Sequence, residues 1–221
     1  MSPTWLGRRK AEAPTELDQR VVWRIAALLL DYPTQQTLDL LDELHAAAVA
    51  LPAPALVSFL DEIRLRPAIE LAAHYVETFD LRRRHCLHLS YYAFGDTRKR
   101  GMALLRFKHA YRTAGATLGE HELPDHLAVV LEFAATVDPV AGRRLLVEYR
   151  PVVELLRLSL HEAASPYRAV LDAVCATLPE INAADRRRVA ELAAQGPPEE
   201  EVGLEPYGVD PMMREQLEGR R

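Results

Sequence analysis

Apolar residues recur three and four positions apart along nearly the whole chain, the period of helices with one buried face, and no stretch alternates with period two on β-branched residues. The pattern predicts an all-α fold. Leu17, Val21, Ile25, Leu28 and Leu29 form a first stripe, closed at Tyr32-Pro33 because proline disfavours helical geometry in the residue before it. Leu38, Leu41, Leu44, Ala48 and Leu51 form a second. Pro52 and Pro54 punctuate the chain before a short helix carrying Leu56, Phe59, Leu60 and Ile63. Pro67 opens the next, with Ile69, Ala72, Tyr75, Val76 and Phe79 inward, since proline in a first helical turn loses no hydrogen bond. A break is expected at Ala93 to Asp96, followed by a helix with Ala103, Phe107, Ala110 and Ala114 on one face, and another with Leu127, Val130, Leu131 and Ala134. The apolar segment from Pro139 to Glu162 should be kinked or divided by Pro151. Ser165-Pro166 signals the start of a helix burying Val170, Leu171, Val174, Cys175 and Leu178, and a last short helix with Val189 and Leu192 ends near Gly196. This divides the chain into a flexible N-terminus (1–15), a helical domain (16–195) and a proline- and glutamate-rich tail (196–221) expected to be mobile.

At 221 residues and 49% hydrophobic content the chain can bury one good core. Two cysteines, Cys86 and Cys175, are too few for a disulfide framework and fit a reducing compartment. No apolar stretch reaches the roughly 18 residues a spanning helix needs, and no apolar run follows Arg8, Arg9 and Lys10 as a secretory signal would require. A soluble cytoplasmic protein is expected. The net charge of −5 argues against general nucleic-acid affinity, but the charge is segregated. Leu81 to Arg112 holds nine Lys and Arg against Asp96 alone, and Thr117 to Asp138 holds five Asp and Glu with no Lys or Arg. Either the two segments attract each other within the fold or one of them serves a partner.

His85, Cys86 and His88 invite a metal-binding reading, but on a helix 85 and 88 share a face while 86 points elsewhere, and no second Cys/His pair lies nearby. No nucleotide-binding, zinc-protease or nucleophile-elbow motif is present. Tyr75 and Phe79 stand four residues apart on one helical face, and Asp80 sits at a helix end, where the macrodipole disfavours a carboxylate. In Glu122-Leu123-Pro124-Asp125-His126 the acids fall near a helix start, where backbone N–H groups and the dipole stabilise them; a local N-cap role would account for Asp125 and Pro124 but not for His126 or for two acids flanking an apolar pair. Neighbouring carboxylates should favour the charged form of His126 and raise its pKa above about 6.5 unless burial dominates.

The run YVETFDLRRRHCLHLSYY (75–92), then GDTRKRG (95–101) with LLRFKHAYRTAG (104–115), then ELPDHLAVVLEF (122–133) together resemble the nitrate reductase molybdenum-cofactor assembly chaperones, the NarJ family, within the wider TorD and DmsD group of redox-enzyme maturation chaperones. The resemblance covers roughly Val21 to Ala194. In the wider group the third motif is Glu-Pro-x-Asp-His; here proline comes one place later, the nitrate reductase form. The resemblance implies a single TorD-like bundle of about eight to ten helices, monomeric or weakly dimeric, with no cofactor, metal or catalytic residue of its own. It implies as partner the N-terminal segment of the apo catalytic subunit of respiratory nitrate reductase, held while the client's molybdenum cofactor is inserted and before the client docks at the membrane. The client peptide would be held by Tyr75, Glu77, Phe79, Asp80, Leu89, Tyr91, Glu122, Asp125 and His126, an amphipathic basic helix laying its cations on the acids. Beside this stand two other readings: a helical metalloprotein using His85, Cys86 and His88, and a nucleic-acid-binding regulator using the basic segment 81–112.

Overall fold

The structure, a computed structural model, describes residues 15–95, 97–119 and 122–196; residues 1–14 of the expected N-terminal arm and 197–221 of the expected tail lie outside the described residues. The chain enters on α1 (Glu16–Leu29) through a capping box, with the Thr15 hydroxyl accepting from the Asp18 N–H and the Asp18 carboxylate accepting from the Thr15 N–H. Its buried face is Val22, Trp23, Ile25, Ala26 and Leu29, rotated from the predicted stripe. Leu17 is 67% exposed, because its turn lies at the end of the helix, and Trp23 goes inward instead, its indole N–H donating to Thr177 Oγ1 at 2.8 Å.

The second stripe is divided at Leu40 into α2 (Gln35–Asp39) and α3 (Leu41–Val49). Next, α4 (Pro54–Ile63) begins on its proline and buries all four predicted residues, and α5 (Ala68–Tyr75) follows Pro67. Ile69, expected inward, is 77% exposed, and Leu71 takes the core position. A π-helical turn (Val76–Asp80) extends α5, closed by the Leu81 N–H donating to the Val76 carbonyl. A short 3-10 turn (Arg83–His85) leads to α6 (Leu89–Phe94), which stops at Gly95, φ +59°, a conformation that glycine adopts without strain. The remaining helices are α7 (Arg98–Thr113), α8 (Leu127–Thr136), α9 (Pro139–Glu148), α10 (Arg150–Glu162), α11 (Arg168–Ala176) and α12 (Ala183–Gln195).

Among the described residues there are thus twelve α-helices rather than eight to ten, and no strand. Pro151 divides the long apolar segment as expected, standing in the first turn of α10. Ser165 does not cap α11: its hydroxyl has no hydrogen-bond partner, and a turn from its carbonyl to the Arg168 N–H delays the helix to Arg168. One contiguous core runs through α1, α3, α4, α8, α10 and α11. A charged ladder fastens α10 to α11, with Glu154 accepting from Arg150 and Arg157 while Arg157 reaches Asp172. Cys175 packs on the core as predicted, burial pushing its thiol up to about 12. The basic and acidic segments spend several charges elsewhere: Arg106 pairs with Glu148, Arg82 approaches Glu77, and Glu132 pairs with Arg24. No helix among the described residues is long and apolar enough to cross a membrane.

At the crossing of α8 and α9 the chain has no room for a side chain. A Cβ on Gly142 would lie 2.4 Å from Cα and Cβ of Ala134, so Gly142→Ala must separate two helix backbones. We expect it to cost about 2 to 3 kcal/mol, read as a lower urea midpoint, whereas Gly101→Ala, where a Cβ meets nothing within 4 Å, should be neutral or stabilising.

Candidate functional site

Two segments far apart in sequence meet in the middle of the molecule. The Leu89 N–H donates to the Asp125 carbonyl at 3.0 Å and the Leu127 N–H to the Leu87 carbonyl at 2.9 Å, an isolated antiparallel bridge that sets His88 opposite His126. Their rings meet edge to face with centroids 5.1 Å apart. The Asp125 side chain, 0% exposed, accepts from the Ser90 N–H at 3.2 Å and from the Ser90 hydroxyl. It therefore caps the first turn of α6 from across the chain. The expected local role is overturned: the N-cap of α8 is His126, which makes no side-chain cap bond. A buried carboxylate persists only if its partners replace water, and the bridge delivers Ser90 to it. Its other oxygen lies 3.4 Å from His88 Nδ1 without forming a hydrogen bond. Burial pushes the Asp125 pKa up, but His88, Ser90 and the Arg100 charge outweigh it and hold the carboxyl below its ordinary value. From α7, the Tyr111 hydroxyl donates to the Pro124 carbonyl at 2.6 Å.

Above this knot lies a cleft of about 600 Å³ between α1, α8 and residues 116–118 and 122–123, with His88 and His126 in its lining. Leu28, Leu118, Val129 and Phe133 supply apolar wall. Its carboxylates are Asp31, Glu122 and Glu132, set against one guanidinium, Arg24, which is paired to Glu132. An apolar trough edged by carboxylates suits a helix with one apolar face and flanking cations.

Of the predicted residues, Glu122 and His126 line this cleft. Asp125 is buried and reaches it only through His88. Leu89 is buried, and Tyr91 is half-buried on α6 with the Arg100 guanidinium 5.3 Å from its ring centre. Tyr75 and Phe79 are core: their rings lie 5.0 Å apart, Phe79 sits 4.7 Å from Tyr167, and the Tyr75 hydroxyl donates to the Leu30 carbonyl. They brace the end of α1 from behind rather than forming the groove wall. Glu77 and Asp80 are exposed on the π-helical turn. Unforeseen in the sequence were Leu28, Asp31, Val129 and Glu132, which only the packing of α1 against α8 brings together. Tyr111, buried on α7 and also in the lining, was unforeseen as well.

His126 departs from expectation. Burial, reinforced by the His88 charge, outweighs Asp31 and Asp125 and pushes its pKa down to about 4, so the ring is neutral at physiological pH. Among the described residues no group of three His, Cys, Asp or Glu is placed to hold a metal ion. His85 is buried, with Nδ1 2.9 Å from the Thr78 carbonyl oxygen.

The profile of the nitrate reductase delta subunit family matches residues 42–173. The nitrate reductase-like protein NarX of Mycobacterium tuberculosis is 46% identical over 157 residues, 71% of this chain but only 24% of NarX, so the match spans about a quarter of that relative. The Escherichia coli nitrate reductase molybdenum cofactor assembly chaperone NarJ is 31% identical over 154 residues, 67% of this chain and 65% of that one. NarJ of Bacillus subtilis is 29% identical, covering 74% of this chain and 91% of the relative. A crystal structure described as a redox enzyme maturation protein from Archaeoglobus fulgidus superposes with a TM-score of 0.56 at 21% identity, covering 76% of this chain and 97% of that one. That likeness bears on the fold alone.

Because the folded His126 pKa lies below the unfolded value of 6.5, the unfolded chain binds more protons between the two. Stability should be full above about pH 6.5 and decline as pH falls toward 4, by as much as about 3 kcal/mol from this ring. Urea unfolding at pH 7 and pH 5 should show the loss, and His126→Gln should flatten it; an unchanged slope in that variant would place the titration in the other buried histidines.

Proposed function

The chain belongs to the nitrate reductase delta subunit family, and from that premise we propose that it is an assembly chaperone, not a catalyst, for the catalytic subunit of respiratory nitrate reductase. It binds the N-terminal segment of the apo subunit in the cleft between α1 and α8, in the cytoplasm. The client is thereby kept open for molybdenum cofactor insertion and kept from docking at the membrane too early. The observation that carries this reading is the cleft, an apolar trough edged by Asp31, Glu122 and Glu132 and anchored on the His88–His126 bridge. The names of the NarJ relatives support it.

A client helix would set its apolar side chains against Leu28, Val129 and Phe133 and its cations beside the acids. The carboxylates would speed encounter and select partners more than they add affinity. Glu122 and His126 make contact in this scheme. Asp125, Tyr75 and Phe79 act through the residues they hold in place, while Glu77, Asp80, Leu89 and Tyr91 lie away from the cleft. With His126 neutral, the cleft keeps its negative charge at physiological pH.

Co-purification with the nitrate reductase catalytic subunit should succeed, and should fail when the subunit's first few dozen residues are removed. Capture that survives the truncation would put the contact elsewhere on the client. By calorimetry, Val129→Glu in the cleft wall should weaken the N-terminal peptide by more than about 2 kcal/mol, roughly thirtyfold, while Arg187→Ala on α12 leaves it unchanged. Phe79→Ala should cost about 3 to 5 kcal/mol of stability yet bind the peptide nearly normally where it remains folded.

A further inference from the structure

Helix α7 carries six Lys or Arg and no acid in sixteen residues. Its inner face, Ala103, Phe107 and Tyr111, is buried. On the outer face, Met102 and Leu105 are 61% and 54% exposed, and with His109 they form one stripe at helical spacing. Cations border that stripe throughout. Arg98 and Arg112 stand at its two ends, Lys99 and Arg106 lie along one side and Lys108 along the other. Arg106 is drawn toward Glu148. Two apolar side chains held out in water between rows of cations form the amphipathic pattern of a helix lying in a lipid–water interface, the apolar residues dipping below the headgroups and the long basic stems reaching back to the phosphates. The same pattern is poorly suited to duplex nucleic acid, which would use the cations and gain nothing from Met102 and Leu105.

We propose that the outer face of α7 docks this protein reversibly on an anionic membrane surface. The occupant is argued from charge and shape together: Arg98, Lys99, Arg106, Lys108 and Arg112 stand exposed on this face with no acid in the helix, in a chain whose net charge is −5, so the face draws toward an anionic bilayer and helps to orient the molecule as it approaches. The exposed pair then supplies the contact that salt does not screen. With no spanning helix among the described residues, the attachment is peripheral.

The test is co-sedimentation of the full chain with vesicles of phosphatidylcholine alone and of phosphatidylcholine mixed equally with phosphatidylglycerol, at low and physiological salt. Binding to the mixed vesicles only, weakened by salt, is expected. Met102→Glu/Leu105→Glu should reduce the partition at least about tenfold, as should Lys99→Glu/Lys108→Glu, since membrane affinity follows both buried apolar area and basic charge. These residues are exposed, so folding should be kept, which a dichroism melt confirms. Leu65→Glu, on the loop after α4, should bind like wild type. The proposal is overturned if wild type ignores the anionic vesicles, if it binds neutral vesicles equally, or if the α7 variants partition unchanged. Salt-sensitive binding to a random DNA duplex that persists in Met102→Glu/Leu105→Glu, with no vesicle binding, would assign the cations to nucleic acid and overturn it as well.

Discussion

A buried carboxylate governs the centre of this molecule. Asp125 has no exposed surface, and an isolated charge there would cost several kcal/mol. It is kept ionised by the start of α6, which the Leu89–Asp125 and Leu127–Leu87 backbone bonds bring within reach. Each part needs the others. Without the bridge the carboxylate loses Ser90, and without the carboxylate the first turn of α6 loses its cap. Because Pro124 is also held by Tyr111 of α7, three segments separated by loops share one anchor, and the histidines in the cleft lining take their orientation from it.

The distribution of charge follows from this arrangement. The acidic stretch after α7 is drawn over the gap between α1 and α8, where Glu122 and Glu132 join Asp31, while the basic helix before it turns most of its cations outward. The segregation seen along the sequence thus survives in part in space, with Glu122 and Glu132 on the cleft and the cations of α7 on its exposed face.

Most helices were legible in the sequence because proline and glycine mark their ends and one face of each is continuous. All four apolar residues of α4 and of α8 are buried as read. Errors came where burial depends on what lies opposite. Ile69 has the right spacing but faces no neighbour, and Leu17 extends past the end of the core. The third motif lies where the His88–His126 bridge and the cleft form, yet the contacts within it did not follow from spacing. Asp125 looked like a local cap because capping is a short-range rule, whereas its partner is 35 residues away. For His126 the competing effects of carboxylates and burial could be named but not weighed until the packing was known. The α1 half of the cleft was illegible for a simpler reason, as nothing in the 16–31 segment announces which helix it will face.

The π-helical turn at Val76–Asp80 bears on how this chain can change length. Such a turn holds about one residue more than an α turn over a similar rise, closed here by the Leu81 N–H on the Val76 carbonyl. Loss of one residue between Val76 and Asp80 would let the turn relax to ordinary α geometry while the helix still ends near the same point in space, so His85 and the bridge at His88 could keep their places. A deletion in α8 or α10 has no such slack and would rotate every following side chain off its face. Length variation among relatives is therefore expected to gather at this turn, between the aromatic pair and the bridge.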